Sequence, residues 1–386
     1  MISFASQRFE VDMSSRQCLT KLELYNMSKK SFLWITNFFI LVGLLLFSNK
    51  TNAQDPHFSQ FYGSPLTLNP AIAGTYTGTF RISTIYRDQW RSAVDDPLRT
   101  FAASGDVKFN LNYGAIKGNP DIVAVGITFF SDRVNTFDFN TNQILLTAAY
   151  HKSLDKKTKQ YIGIGIQGGI LQKSLNYEDL TFQDQFNAID GYTLGTGEQL
   201  PPNNRAYSDV NIGLYYSIAP SKTFNFHIGA GYFHLNKPNV SFYNTPDIID
   251  QNVIKIDTLS AKWSIHTGAS IKTSERMAIQ PRVNALVQGP HTEVNLGATF
   301  RYKISKQSGQ YLLFGPYIRG VKNYNNFGLE SVIGMVGFER DNFIFGFSYD
   351  QSLSSLVNDR KSLSSLEFSI IYIGEHHNED NFCPQW

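Results

Sequence analysis

Cysteine is nearly absent from this chain. Cys18 and Cys383 are the only two in 386 residues, and they stand near opposite ends. A disulfide framework is therefore excluded. An excess of one charge is also missing: 34 Lys and Arg face 32 Asp and Glu, for a net charge of +2. Such a balance leaves no electrostatic case for nucleic acid. Long apolar runs are scarce. Only Ser31–Phe47, broken by Thr36 and Asn37, approaches the length of a membrane-spanning helix. Catalytic patterns are missing too. There is no Gly-x-Ser-x-Gly, Walker A or His-Glu-x-x-His, and no nucleophile–base spacing accompanies the eight histidines. Gly163-Ile164-Gly165-Ile166 alternates like a strand rather than a phosphate loop. Glu375-His376-His377 with Glu379 and Asp380 reads as a solvated polar tail, not a metal site. No enzyme activity, cofactor or metal is expected.

The one apolar run has a specific reading. Lys29 and Lys30 precede it, and Thr51-Asn52-Ala53 follows it. A basic start, an apolar middle and a small-residue end form a secretory signal peptide. Residues 1–53 are read as a presequence removed after Ala53, with Met27 a candidate true start. An uncleaved signal anchor is the alternative. No Cys follows the site, so a lipoprotein is not expected. The presequence holds six Lys/Arg and three Asp/Glu, so its removal brings the chain close to neutrality.

Aromatic residues are plentiful at 14 %, with 30 Phe and 20 Tyr. They fall into a repeated pattern. Runs of ten or so residues alternate apolar and polar, then stop at a turn. In 261–272, Ala261, Trp263, Ile265, Thr267, Ala269 and Ile271 share one face, and Lys262, Ser264, His266, Gly268, Ser270 and Lys272 share the other. Successive strand side chains point to opposite sides, so these are two-faced strands. Fourteen are read, at 77–90, 99–109, 121–131, 136–151, 160–173, 205–219, 223–235, 259–273, 277–288, 291–303, 310–319, 327–338, 342–350 and 362–373. Glycine recurs on the polar face, as at Gly163, Gly165 and Gly169, where a crowded interior or a bend needs a missing side chain.

Loop length follows the parity of the connections. The even-to-odd turns, such as 220–222, 274–276 and 339–341, are mostly short, whereas the odd-to-even loops include 174–204, 236–258 and 351–361. Outer-membrane barrels have short periplasmic turns and long external loops. The mean hydropathy of −0.22 fits, because half of each strand faces the lumen. The fold expected is all-β: a transmembrane antiparallel β-barrel of about 14 strands in outer-membrane lipid. Its parts are a pre-barrel plug or periplasmic segment at 54–76, the barrel at 77–373 and a periplasmic tail at 374–386. A lumen this wide is not filled by wall side chains alone. It is plugged or it conducts, and the candidate plugs are 54–76 and the long loops.

The first mature residues carry three motifs: Asp55, Pro56, Phe58, Ser59 and Gln60; then Leu68–Ala71 with Ala73 and Gly74; then Tyr86, Arg87, Gln89 and Trp90. Later come Ser131-Asp132-Arg133, Ala149-Tyr150-His151, Gly231–Leu235 with His234 and Pro238, and Ser348-Tyr349-Asp350 before Leu353–Leu356. Phe382-Cys383-Pro384 lies near the end. In this order the motifs closely resemble the PorP/SprF family of outer-membrane proteins associated with the type IX secretion system. The polar loop 174–204 is a departure from that pattern. The resemblance implies a non-enzymatic barrel that contacts periplasmic secretion components and retains or helps export a large surface adhesin.

The residues themselves support more modest statements. Pro70 pre-sets φ, Asn69 can cap a turn and Gly74 can take positive φ, so Leu68–Gly74 is a rigid turn or short helix. It either starts the barrel or belongs to a plug or docking piece. Tyr86 and Trp90 suit an aromatic girdle, and Arg87 faces the lumen as an ion-pair member or part of a conduction path. Loop 174–204, with Phe182, Phe186 and Tyr192, is either a partner surface or folded back inside. An outer-membrane porin for small solutes is the competing function.

Overall fold

The computed structural model describes residues 55–375 apart from 92–96, 117–118, 135–137, 156, 158, 179, 244–256, 305–308, 324–325 and 354–362. The presequence, the polar tail from residue 376 and Cys383 lie outside the described residues. The alternating segments form fourteen antiparallel strands: β1 Phe80–Gln89, β2 Leu98–Ile116, β3 Asn119–Val134, β4 Phe139–Asp155, β5 Gln160–Ser174, β6 Asn204–Ser221 and β7 Phe224–Phe233, followed by β8 Lys262–Lys272, β9 Met277–Gln288, β10 His291–Lys303, β11 Gln310–Asn323, β12 Asn326–Arg340, β13 Phe343–Ser352 and β14 Ser364–Gly374. Each pairs with its neighbour in sequence, and β1 pairs with β14 from Phe80↔Gly374 to Gln89↔Ser365. The sheet is a closed barrel.

The two faces are inverted relative to a soluble protein. On β5, Ile164 and Ile166 are more than half exposed, while Gln167 between the next pair of outward residues is 1 % exposed. Across the wall, Leu146, Ile162, Leu214, Ile265, Val336 and Phe347 point outward, and Thr147, Asn211, His266, Asn295 and Ser348 point in. Closure explains why this is tolerable. Lipid offers no partners to backbone N–H and C=O groups, so a sheet in lipid must have no edge.

The ends differ as the loop lengths imply. The turns after β2, β4, β6, β8, β10 and β12 are short, while the long connections after β5, β7 and β13 share the other end. Two loops at the long end are nonetheless tight, between Gln288 and His291 and between Asn323 and Asn326. Strands β2 and β3 run further toward the short end than their sequence pattern reaches, pairing Ile116 with Asn119. The stretch 110–120 reads as a turn, but strand pairing reaches Leu111 with Asp121 and resumes at Ile116 with Asn119 after a shift of register.

The segment before β1 is not strand until Phe80. It forms a 3₁₀ turn at Phe61–Gly63, the four-residue helical turn α1 at Pro65–Leu68 and a second 3₁₀ turn at Pro70–Ile72. Proline opens two of these, where its missing N–H costs nothing. The Asn69 side chain caps the last by accepting from Ala71 N–H at 2.9 Å. Residues 58–74 are buried within the lumen except for half-buried Tyr62 and Thr67. The segment descends the barrel. Asp55 N–H meets Gln288 at the long-loop mouth, and Thr79 N–H meets the Gly374 carbonyl at the short-turn mouth.

An arginine on the outer wall tests the assignment of faces. Ile166→Arg is expected to cost about 2–4 kcal/mol if it lies near the lipid midplane. Ile189→Arg, on the exposed tip of the β5–β6 loop, is expected to be neutral. Urea unfolding in lipid vesicles, followed by heat-modifiable gel mobility, reads both.

Candidate functional site

Three sets of contacts fix the segment in the lumen. The first surrounds Ser59 and Gln60. Both backbone N–H groups donate to the Glu367 carboxylate, at 2.7 and 2.8 Å. The Gln60 amide donates to Ser348 Oγ at 3.0 Å and accepts from Ser369 Oγ at 2.8 Å. Arg87 Nη1 lies 3.2 Å from Glu367 and donates to the His57 carbonyl at 2.7 Å. Arg319 donates to Asp350 at 2.7 Å and to Ser59 Oγ, and Ser59 Oγ in turn donates to Asp350. His57 Nε2 meets Glu293 at 2.9 Å. These charges are buried, so each depends on its partners. The sheet itself helps to aim one of them. The β11–β12 register slips at Arg319/Gly320, leaving Glu330 as the extra residue of the bulge, 3.4 Å from Arg319.

The second set is a latch at the long-loop mouth. Asp55 Oδ2 lies 2.7 Å from both His234 Nε2 and Lys262 Nζ. His234 Nδ1 reaches Asp209 at 3.0 Å. Burial alone would raise the Asp55 carboxyl; Lys262 and His234 overcome it and hold the group well below its usual range. Burial would likewise lower His234, but Asp55 and Asp209 outweigh it and lift the imidazole to about 9. His234 itself sits at φ +60, just past the end of β7.

The third set receives the Asn69-Pro70-Ala71 turn. Asn69 Nδ2 donates to the Leu214 carbonyl at 2.9 Å and to His266 Nε2 at 3.1 Å. His151 Nε2 donates to the Ala73 carbonyl at 2.8 Å. Glycines on the facing wall make room. A Cβ on Gly213 would lie 2.0 Å from Asn69 Oδ1, and one on Gly165 would lie 2.5 Å from Ala71 N. Gly74, at φ +78, turns the chain so that its N–H donates to Asp106 at 2.9 Å. Asp106 also takes a bidentate pair from Arg81, both contacts at 2.9 Å. Apolar contacts fill the remainder: Phe58 packs with Ile85, Ala102 and Phe130, and Leu66 with Ala124 and Ala149.

The sequence-selected residues are thereby sorted. Phe58, Gln60, Asn69, Pro70, Gly74, Arg87 and His234 meet inside the barrel. Tyr86 points to the outer surface and Trp90 lies just past β1 at φ +64, its N–H bonded to the Ser364 carbonyl at 2.8 Å. Gln89 ends β1, half-buried, and joins none of the three sets. Asp350 belongs to a motif read from the sequence, whereas Glu367, Arg319, Glu293, Asp209 and Lys262 were not singled out there. A signal was available: an ionisable residue within an otherwise lipid-compatible strand implies a partner.

An apolar outer wall, a closed antiparallel sheet and a polar, charge-lined lumen define an outer-membrane β-barrel. Residues 50–372 match the family described as type IX secretion system membrane protein PorP/SprF, and the chain belongs to that family. It is a non-enzymatic, secretion-associated barrel of the outer membrane. Among solved structures, the chain is similar to the CymD monoaromatic hydrocarbon channel at 12 % identity and TM-score 0.45, covering 82 % of this chain and 94 % of that one. It is also similar to a Pseudomonas aeruginosa FadL homologue at 10 % identity and TM-score 0.47, covering 83 % and 99 %. The Pseudomonas putida toluene transporter TodX is similar at 9 % identity and TM-score 0.42, covering 83 % and 94 %. No curated protein gives a significant match.

Two outcomes follow from this geometry. Arg319→Met removes the cation that Asp350 and Glu293 share, leaving Asp350 only Arg87 at 3.9 Å and Glu293 only His57, and is expected to cost about 3–5 kcal/mol. Gly213→Leu is expected to unseat the Asn69 turn while leaving the wall folded, which proteolysis of residues 55–79 in the folded barrel would reveal. The latch also has a pH window. Folding raises the His234 value, so its contribution is complete below about 6.5 and is lost as pH rises through about 9. Folding lowers the Asp55 value, so its contribution is present above 3.8 and lost in stronger acid. A dye on Pro56→Cys is expected to be immobile between these limits and to loosen above pH about 9; unchanged anisotropy to pH 10.5 would exclude His234 as the latch.

Proposed function

We propose that the barrel is a plugged, non-conducting scaffold. Periplasmic secretion components attach at its short-turn mouth, and a large secreted adhesin is retained or exported at its long-loop mouth. The observation that carries this reading is the lodging of residues 55–79. Charged and polar groups from β1, β2, β10, β11, β13 and β14 converge on one segment that runs from mouth to mouth. A pore lined for conduction would leave such groups to water. Here they bind backbone N–H groups and amides of the protein itself. Family membership supports the secretion role and the general class of partners.

The exposed loop 174–204 suits the outer contact. The Phe186 and Tyr192 rings meet at 5.2 Å, tilted by 60°, on a two-residue ladder, and Ile189 at its tip is 91 % exposed. Among its described residues the loop takes no part in the contacts that hold the segment in the lumen, which favours a partner surface over a second plug.

Planar-bilayer recording is expected to show little stable conductance for the intact protein and clear openings for Gly213→Leu. A mild-detergent pull-down with mass spectrometry is expected to recover periplasmic type IX components or a very large adhesin. Stable conductance of the unaltered protein, together with recovery of the barrel alone, would favour the porin reading.

A further inference from the structure

Below the docked segment, the lumen opens into a vestibule of about 480 Å³ at the short-turn end, walled by β2–β7. Its ceiling is the segment itself at Gly74–Thr77, so the vestibule is blind. Tyr76, Tyr161 and Tyr215 line it, together with His151 and His227. Two cations line it, the exposed Lys159 and the half-buried Lys108, whose Nζ also donates to the Tyr76 carbonyl, and no Asp or Glu is among its lining residues. The nearest lumen acid, Asp106, is consumed by Arg81 and Gly74 N–H. Asp121 is taken by Lys152 and Tyr150. At the mouth, Lys157 and Lys222 stand exposed on the turns after β4 and β6, with Asp155 accepting Lys157 N–H.

We propose that this vestibule is the docking site for an acidic, aromatic-bearing peptide segment of a periplasmic partner. Three arguments select that occupant. The lining is cationic and has no acid of its own, so a negatively charged guest is complementary. Tyrosines supply large, amphipathic contact area at low entropic cost, the usual chemistry of peptide recognition. A blind chamber takes a short segment or chain end and passes nothing onward. Lys159, on the turn after β4, is among its lining residues, which places its mouth among the short turns and favours a peptide over a lipid headgroup. The proposal rests on the reading that periplasmic components attach at the short-turn mouth, but its test uses purified protein and needs none of those components.

The test is fluorescence anisotropy with the full-length barrel in nanodiscs. The probe is a dye-labelled hexapeptide of alternating glutamate and tyrosine; the controls replace glutamate by glutamine, or tyrosine by serine. Saturable binding is expected, weakened roughly tenfold or more by either replacement and by added salt. Lys159→Glu is expected to reduce it similarly without touching the docked segment. Ser217→Trp, which fills the chamber, is expected to abolish it while heat-modifiable mobility stays normal. Equal binding of all three peptides, or unchanged binding by both variants, would overturn the proposal. So would complete displacement by inorganic phosphate with no dependence on tyrosine, since that marks an anion site only. A failed pull-down alongside specific peptide binding would instead sink the scaffold reading and leave the vestibule intact.

Discussion

Lipid cannot hydrogen-bond a polypeptide backbone, and the whole architecture descends from that one constraint. A sheet that enters the bilayer must close on itself. Once fourteen strands close, the outer wall must be apolar and the inner wall is free to be polar. A ring of that size encloses more space than its own side chains fill. The protein's response is to turn the inner wall into a binding site for its own chain. Arg87, Arg319, Asp350 and Glu367 would be an expensive set of charges in an empty apolar core. Around Ser59 and Gln60 they become a receptor.

The docked segment is held by geometry as much as by charge. Buried ion pairs add little net stability, because desolvation offsets their attraction. Their effect is positional. The Glu367 carboxylate accepts two successive backbone N–H groups, which fixes the path of the chain there. Further down, the missing side chains of Gly165 and Gly213 let the Asn69-Pro70-Ala71 turn approach the wall. The same wall residues would leave a gap if the segment withdrew. Segment and wall are therefore one packed unit, and the vestibule below it is defined by where that unit ends.

Much of this was legible beforehand. The strands at 277–288 and 291–303 match β9 and β10 to the residue, because each has clean alternation and a tight turn between them. The inward aim of Arg87 and the outward aim of Tyr86 follow from adjacency in a strand, since neighbours must face opposite ways. Glycine on the polar face signalled a crowded interior, and Gly165 and Gly213 are where the crowding is. The partners were not legible. Glu367 reaches Gln60 across 307 residues, and Asp55 meets His234 across 179. No local pattern encodes a contact at such separations.

Sequence by itself determined the number of strands, the assignment of each face and the end at which long loops gather, because all three depend on local alternation and turn chemistry. It also contained the family motifs and the rigid Asn69-Pro70 turn. Tertiary structure alone decided that residues 55–79 descend the lumen from the long-loop mouth, and that Asp55, His234 and Lys262 share one latch. It alone placed Lys108 and Lys159 around a blind chamber. The physical reason is the barrel itself. Closing the sheet brings β1 against β14 and sets inward side chains from distant strands around one axis, and only then do they acquire the neighbours that give them a function.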